Sequence, residues 1–339
     1  IIETIDERNE YCLYIGIPFC PTRCLYCSFT SYPIGVYKDK VDAYLDTMEK
    51  EMEYIAASYT EKKLVSIYIG GGTPSSISAE QMDRLCSMIE KHFDLSQVRE
   101  YTIEAGRPDS TTADKLQVMK AHGVGRISIN PQTMNGETLK LIGRAHTPEQ
   151  AEEAFMRARE AGFDNINMDL IVGLPGEDAE MVKRTLEKVK KLAPESLTVH
   201  TLAIKRAAHL KQEMDKYSFA GDVDEQLSLV GQAAEELGLA PYYLYRQKNM
   251  AGNLENVGYA RHGLECLYNI LIMEERTDII GIGAGSSSKL IRREGDLDPV
   301  TGEVITGTRI DRVENCKSVD DYIARIDEMI DRKKQAFAK

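Results

Sequence analysis

No window of this sequence is apolar for long enough to cross a membrane as a helix, which removes helical channels and transporters from consideration. The opening residues, IIETIDERNEYCLY, lack the basic segment, extended apolar core and small-residue cleavage site of a secretory signal, so the cytoplasm is the expected compartment. Cysteine is scarce, seven in 339 residues. An odd, thinly spread set argues against a disulfide framework and fits a reducing environment. Positive charge is also short, with a net charge of -12, which disfavours general binding to nucleic acid or anionic lipid. An anionic substrate would need a local basic patch. There is no low-complexity tract, Pro-rich linker or long block of like charge. An initiator methionine is missing too, and the first candidate strand begins within a dozen residues. A longer parent protein, trimmed of an N-terminal domain, is the expectation.

What is present is 42% hydrophobic and 28% charged, enough apolar material for one large core or two medium ones. Cys20, Cys24 and Cys27 form a C-x3-C-x2-C run directly after the apolar stretch Tyr11 to Pro18. No fourth ligand follows closely. Zinc would need partner ligands at paired spacing, yet the next histidine, His92, and the next cysteine, Cys86, each stand alone. Ferredoxin-type iron-sulfur clusters take four thiolates, so a cubane held by three keeps one iron open for chemistry. Cys12, Cys86, Cys266 and Cys316 read as ordinary buried or half-buried thiols.

Apolar runs rich in Val, Ile and Tyr mark strands near Cys12 to Ile17, Leu64 to Ile69, Glu100 to Ile103, Arg126 to Ile129, Asn165 to Ile171 and Ser196 to Leu202. Val41, Tyr44, Leu45, Met48, Met52 and Ile55 recur at helical spacing and predict a helix with one buried face. Ser78 with Gln81, and Thr147 with Pro148 and Gln150, read as capping boxes, and Gly123 and Gly162 as helix ends. Asp222 to Gly238 reads as a helix, short strands and turns follow from Pro241, and a last helix is expected near Val319 to Ile330. Six strand-helix units in series imply an α/β fold with a parallel sheet, because a parallel neighbour is reached only by a crossover. A partial barrel follows, with its chemistry on the loops after the strand C-termini. The cysteine run follows the first strand and Gly70-Gly71-Gly72-Thr73-Pro74 the second. Glu104 ends the third, Gln132 follows the fourth, Asp169 lies in the fifth and Ala203 comes after the sixth.

Adjacent glycines can present backbone groups to a small zwitterion, although such turns are more often only turns. Buried among apolar residues, Glu104 and Asp169 would need hydroxyl or ammonium partners, or else pair with Arg107 or Arg144. Gly281-x-Gly283-x-Gly285 has the look of a dinucleotide fingerprint without its helix and acidic residue, and reads as a tight loop.

Taken together, YIGIPFCPTRCLYC, GGGTPS, YTIEAGRPDS, RISINPQTMN, IGRAHT and NINMDLIVGLP resemble the radical S-adenosylmethionine (SAM) family of oxygen-independent coproporphyrinogen III oxidases, the HemN type. EAGRPD and YYLYRQKNMAGNLENVGYA narrow the resemblance to its HemZ-like branch. It runs from about Tyr11 to about Leu290. It implies a TIM-like (β/α)6 barrel over residues 1–205 and an α+β extension over residues 206–339. It also implies a 4Fe-4S cluster on Cys20, Cys24 and Cys27, with one or two SAM molecules. Tyr14 and Tyr26 would line the cofactor pocket, and Gly71, Gly72, Thr73 and Glu104 would hold the methionine end of SAM. Gln132, Arg144, Asp169 and Ala203 match contacts to a second SAM.

The implied reaction begins with an electron passed from the cluster to the sulfonium, which gives a 5′-deoxyadenosyl radical. The radical takes hydrogen from the β-carbon of a propionate, and loss of carbon dioxide and an electron leaves a vinyl group. Two rounds on coproporphyrinogen III make protoporphyrinogen IX for heme biosynthesis. The implied partners are that tetrapyrrole, or heme, and a reducing donor such as flavodoxin or ferredoxin. Four propionates call for positive charge, and Arg107, Lys205, Arg206, Arg246, Lys248 and Arg261 are the candidates. In one respect the chain departs from the better-known oxidases: Phe29 stands where they carry a further cysteine, as in the related heme chaperones. A heme-trafficking protein is therefore the second reading, and a radical methyltransferase that opens heme the third.

Overall fold

The computed structural model describes residues 1–27, 31–202, 221–245 and 256–337. Phe29, Ala203, Lys205, Arg206, Arg246 and Lys248 lie outside the described residues. The longer strands, in chain order, are β1 (Glu10–Ile17), β2 (Lys63–Gly71), β3 (Glu100–Gly106), β4 (Arg126–Gln132), β5 (Ile166–Val172) and β6 (Ser196–Thr201). They continue with β7 (Ala240–Tyr245), β8 (Asn256–Ala260), β9 (Asp278–Ile282), β10 (Ser287–Arg292) and β11 (Arg309–Glu314). The first six stand where the apolar runs predicted them. β1 shows why: Cys12, Leu13, Ile15 and Ile17 are all fully buried. A strand covered on both faces reads as a continuous apolar run rather than an alternation.

Contacts divide the chain into two compact units, and the division interleaves the sequence. One unit holds Ile1–Phe19, Thr30–Thr102 and Leu267–Lys339; the other holds Cys20–Phe29 and Ile103–Cys266. In the first unit the strand order is β11-β10-β9-β1-β2. β1 lies parallel to both of its neighbours, while β9, β10 and β11 pair antiparallel in turn. In the second unit the order is β4-β5-β6-β8-β7, parallel from β4 to β6 and antiparallel thereafter.

Both capping boxes form, Ser78 with Gln81 and Thr147 with Gln150, and open the helices Ala79–His92 and Pro148–Glu160. Gly123 and Gly162 follow helices with positive φ, as expected. Asp222 caps the helix Val223–Glu236. The last helix is two, Val319–Ala324 and Ile326–Phe337, broken at Arg325.

The helix Val41–Ser58 buries Val41, Tyr44, Leu45, Met48, Met52 and Ile55 as its spacing predicted, but Glu51 is buried on it too. This carboxylate is fully satisfied inside the first unit. It accepts from Gly283 N at 2.9 Å, Asn315 Nδ2 at 2.8 Å, Lys333 Nζ at 2.7 Å and the Tyr322 hydroxyl. Lys333, itself fully buried, also donates to Asn315 Oδ1 at 2.8 Å. Tyr44 joins the group, donating to Gly16 O at 2.7 Å and accepting from Ala284 N at 2.8 Å. Gly283 has φ +97, and a Cβ there would stand 2.5 Å from Gly16 O. The tight loop that the sequence suggested over Gly281–Gly285 starts only at Gly283, because Gly281 and Ile282 close β9 beside β1; residues of the C-terminal region clamp it through Glu51 and Asn315.

Breaking a buried ion pair leaves a desolvated charge behind. Lys333→Met is expected to lower the unfolding free energy by about 3–5 kcal/mol in a denaturant titration, with the Glu51→Gln/Lys333→Met double variant recovering part of the loss.

Candidate functional site at the cysteine turn

The C-x2-C spacing builds a turn in which Cys27 N donates to Cys24 O at 3.2 Å, so one hydrogen bond closes Cys24-Leu25-Tyr26-Cys27. The turn is anchored twice in the second unit. Leu25 N donates to Ile142 O at 3.1 Å, and the Tyr26 ring packs on Leu139, Ile142, Ile171, Leu174 and Leu202. Cys24 is buried, while Cys20 and Cys27 are half-buried, and none of the seven cysteines is in a disulfide. Arg107, only 3% exposed, backs the turn: Nη1 donates to Thr22 Oγ1 at 2.7 Å and lies 3.8 Å from Cys24 Sγ. Its Nε and Nη2 grip both Asp109 oxygens, at 2.9 and 2.8 Å. Arg144 Nη2 donates to the Tyr26 hydroxyl at 3.1 Å.

In the first unit, Gly71 ends β2 opposite Ile17 with φ +112, and a Cβ there would press within 3.1 Å of Ile17 N and O. Gly72 N donates to Ile17 O at 2.8 Å and Thr73 N to Phe19 O at 2.7 Å. Two of the backbone donors expected to face a small ligand are thereby spent on holding the chain that leads into Cys20. Tyr14, paired with Tyr68 across β1 and β2, joins a stack with Tyr68 and Tyr268 whose centroids lie 4.5 to 6.3 Å apart.

The other candidates in the second unit sit on successive strands. Glu104 lies in β3. Gln132 closes β4 with φ 68, after a register shift between Ile129 and Gln132 that surrounds Pro131. A non-glycine residue held there costs about 1–3 kcal/mol and marks functional sites more often than others. Asp169, in β5, accepts from Asn167 Nδ2 at 2.7 Å and lies 3.8 Å from His200 Nε2. Arg107 is spent on Asp109 and Thr22, and Arg144 Nη2 on the Tyr26 hydroxyl. Several buried polar atoms lack a protein partner: Gln132 Oε1, Arg144 Nε and Nη1, and both ring nitrogens of His146. Buried polar atoms are nearly always paired, so such a set suits a bound ligand.

The profile of the radical SAM superfamily matches residues 14–189. The oxygen-independent coproporphyrinogen-III oxidase-like protein HemZ of Bacillus subtilis is 49% identical over 292 residues, 85% of this chain and 58% of that protein. The heme chaperone HemW of Lactococcus lactis is 33% identical, over 85% of this chain and 72% of its own. The chain belongs to the radical SAM superfamily. Within it, the chain is of the HemN type and HemZ-like, and it spans little more than half the length of the HemZ protein. The structure of Escherichia coli HemN, a coproporphyrinogen III oxidase and radical SAM enzyme, superposes with a TM-score of 0.73 at 22% identity, covering 97% of this chain and 72% of that one. At that identity the likeness speaks for the fold. The fold is the radical SAM α/β fold, with the mixed, mostly parallel strands of a partial (β/α)6 barrel.

Radical SAM proteins carry a 4Fe-4S cluster and SAM, and the residues here fit that pair. Three thiols gather on one short segment, a guanidinium stands against one sulfur, and Arg144 and Gln132 keep unmatched polar atoms for a ligand. Among the described residues no three Cys, His, Asp or Glu side chains are grouped for a single ion. A cubane asks for a different spacing, since each sulfur caps its own iron. The remaining cysteines behave as expected: Cys12 and Cys86 are fully buried, and burial pushes both thiols up to about 12. No helix among the described residues is long and apolar enough to cross a membrane.

One expectation is corrected here. Arg107, a candidate for propionates, is buried and spends its donors on Asp109, Thr22 and Cys24. Arg261 is half exposed, near Glu195. Sequence reasoning missed Thr22, Asp109 and His146. The first two escape because Arg107 reads as a cation for propionates or as a partner for Glu104 or Asp169, although the Pro after Arg107 signals a rigid turn.

Two outcomes follow from this geometry. Burial, then the neighbouring Arg144 charge, depresses His146 to about 4 from its ordinary 6.5. The unfolded chain then binds the extra proton first, so stability present above the ordinary value should fall as pH drops toward 4. The loss should be on the order of 2–3 kcal/mol and should vanish in His146→Gln, measured by denaturant titration across that range. Gly71→Ala meets both a positive φ and the Ile17 backbone, and should destabilise by more than about 1 kcal/mol and lower iron uptake on reconstitution.

Proposed function

We propose that this chain is the catalytic part of a radical SAM enzyme that oxidatively decarboxylates two propionates of coproporphyrinogen III to vinyl groups, giving protoporphyrinogen IX. The observation that carries the reaction class is the setting of the cysteine turn. Three thiols lie on one short segment with Arg107 against the Cys24 sulfur, and Arg144 brings donors with no protein partner. The substrate is inferred from the kinship to the HemZ protein named as coproporphyrinogen-III oxidase-like. In this reading Cys20, Cys24 and Cys27 hold the cluster, and Tyr14, Tyr26, Gly71, Gly72, Thr73 and Glu104 take SAM. Gln132, Arg144, Asp169 and Ala203 are assigned to a second SAM.

When bound, this pair of groups supplies a one-electron reduction and a carbon radical able to take an unactivated hydrogen; the cofactor carries that hard chemistry. The protein's part is positioning and exclusion of water. Gly71 lets the chain before Cys20 lie against β2, and the apolar contacts of Tyr26 cover one side of the turn. Arg144, 7% exposed, offers Nε and Nη1 to an anionic group such as an amino-acid carboxylate, which a guanidinium binds well.

Heme trafficking is the second reading, favoured by the HemW relatives. Anaerobic incubation of cluster-reconstituted protein with reductant, SAM and coproporphyrinogen III separates the two. Mass spectrometry is expected to show products that have lost one and then two carboxyl groups, and Cys24→Ala should lose both iron and turnover. Stoichiometric heme binding with no decarboxylation would replace the enzyme reading with the chaperone one.

A further inference from the structure

The Arg107 guanidinium is more than a buried counterion. Nε and Nη2 are fixed edge-on by Asp109, and Nη1 reaches Thr22 Oγ1 at 2.7 Å and Thr22 O at 3.4 Å. The same Nη1 stands 3.8 Å from Cys24 Sγ, within reach of a hydrogen bond to sulfur. Burial acts to raise the Asp109 carboxyl, but the hydrogen bonds and charge of Arg107 hold it below the usual range. Arg107 and Asp109 belong to the EAGRPD segment, and Pro108 opens a rigid turn between them. The arginine cannot swing away without leaving Asp109 charged and only 19% exposed.

We infer that Arg107 is a positioning and redox-tuning residue of the cysteine site. Its guanidinium, locked by Asp109 and Thr22, donates to the Cys24 sulfur, holds that ligand in place, and makes a cluster bound there easier to reduce. This rests on the cluster reading above. Reduction adds negative charge to the cluster and its sulfurs. A fixed positive donor at one sulfur stabilises that reduced state over the oxidised one, and hydrogen bonds to sulfur are among the factors that set such potentials. Lysine cannot reproduce the arrangement, because only the planar fork can grip a carboxylate on one edge while reaching Thr22 and a sulfur on another.

The test is a redox titration of this chain reconstituted anaerobically, followed by the electron paramagnetic resonance signal of the reduced cluster. Iron content and thermal unfolding are recorded on the same samples. Arg107→Gln is expected to shift the midpoint potential to more negative values and to weaken retention of iron against a chelator roughly tenfold or more. Arg107→Lys, which keeps the charge and gives up the fork, should fall between Arg107→Gln and the unmodified protein. If Arg107→Gln does not fold, Arg107→Lys carries the test, and a potential and iron retention equal to those of the unmodified protein overturn the inference. Equal potentials in all three proteins do so as well. Unmodified protein that takes up no cluster sinks the underlying reading instead, which keeps the two failures distinct.

Discussion

The chain that leads into Cys20 is held by how β1 ends against β2. Parallel pairing sets Gly16 opposite Gly70 and Ile17 opposite Gly71, and two further hydrogen bonds, Gly72 N to Ile17 O and Thr73 N to Phe19 O, carry the pairing past the strand. Cys20 is the next residue. Because Gly71 must sit at φ +112 with no room for a Cβ, a side chain there would push on the same backbone that delivers the first thiol. The glycine run therefore holds the chain as far as Phe19 through backbone pairing.

Buried polar groups divide into two kinds. Glu51, Lys333, Asn315 and Tyr322 satisfy one another, Tyr44 is satisfied by Gly16 O and Ala284 N, and together they tie the C-terminal helices to the Gly283 loop. Arg144, Gln132 and His146 are equally hidden yet keep unmatched atoms. In a low-dielectric interior an unmatched polar atom is costly, so a fold retains it where something else completes it. A closed network reads as scaffold and an open one as a site. That contrast supports the reading proposed above, in which Arg144 and Gln132 meet a ligand, over one centred on the more conspicuous ion pair.

Much of the fold was legible beforehand because its signals are local. The strands announced themselves as apolar runs, both capping boxes need only four residues, and the Val41–Ser58 helix follows from its periodicity. The thiols and the Gln132 position were legible from motif and order. Glu51 and Lys333 were not. A glutamate on a helix face and a lysine near the chain end look solvated, and only their meeting, 282 residues apart, makes them interior. Arg107 was misjudged for the same reason, since an arginine beside a proline carries no mark of which way it points.

The sequence by itself determined the family, the α/β class and the three candidate ligands, because spacing, hydrophobic periodicity and motif order are properties of the chain alone. The tertiary structure decided which charges are buried and with whom they pair. It turned Arg107 from a substrate cation into the partner of Cys24, spent the Gly72 and Thr73 donors on β1 and the residues after it, and left Arg144 with atoms to offer. Those outcomes rest on desolvation and long-range contact, and neither exists until distant segments are packed together.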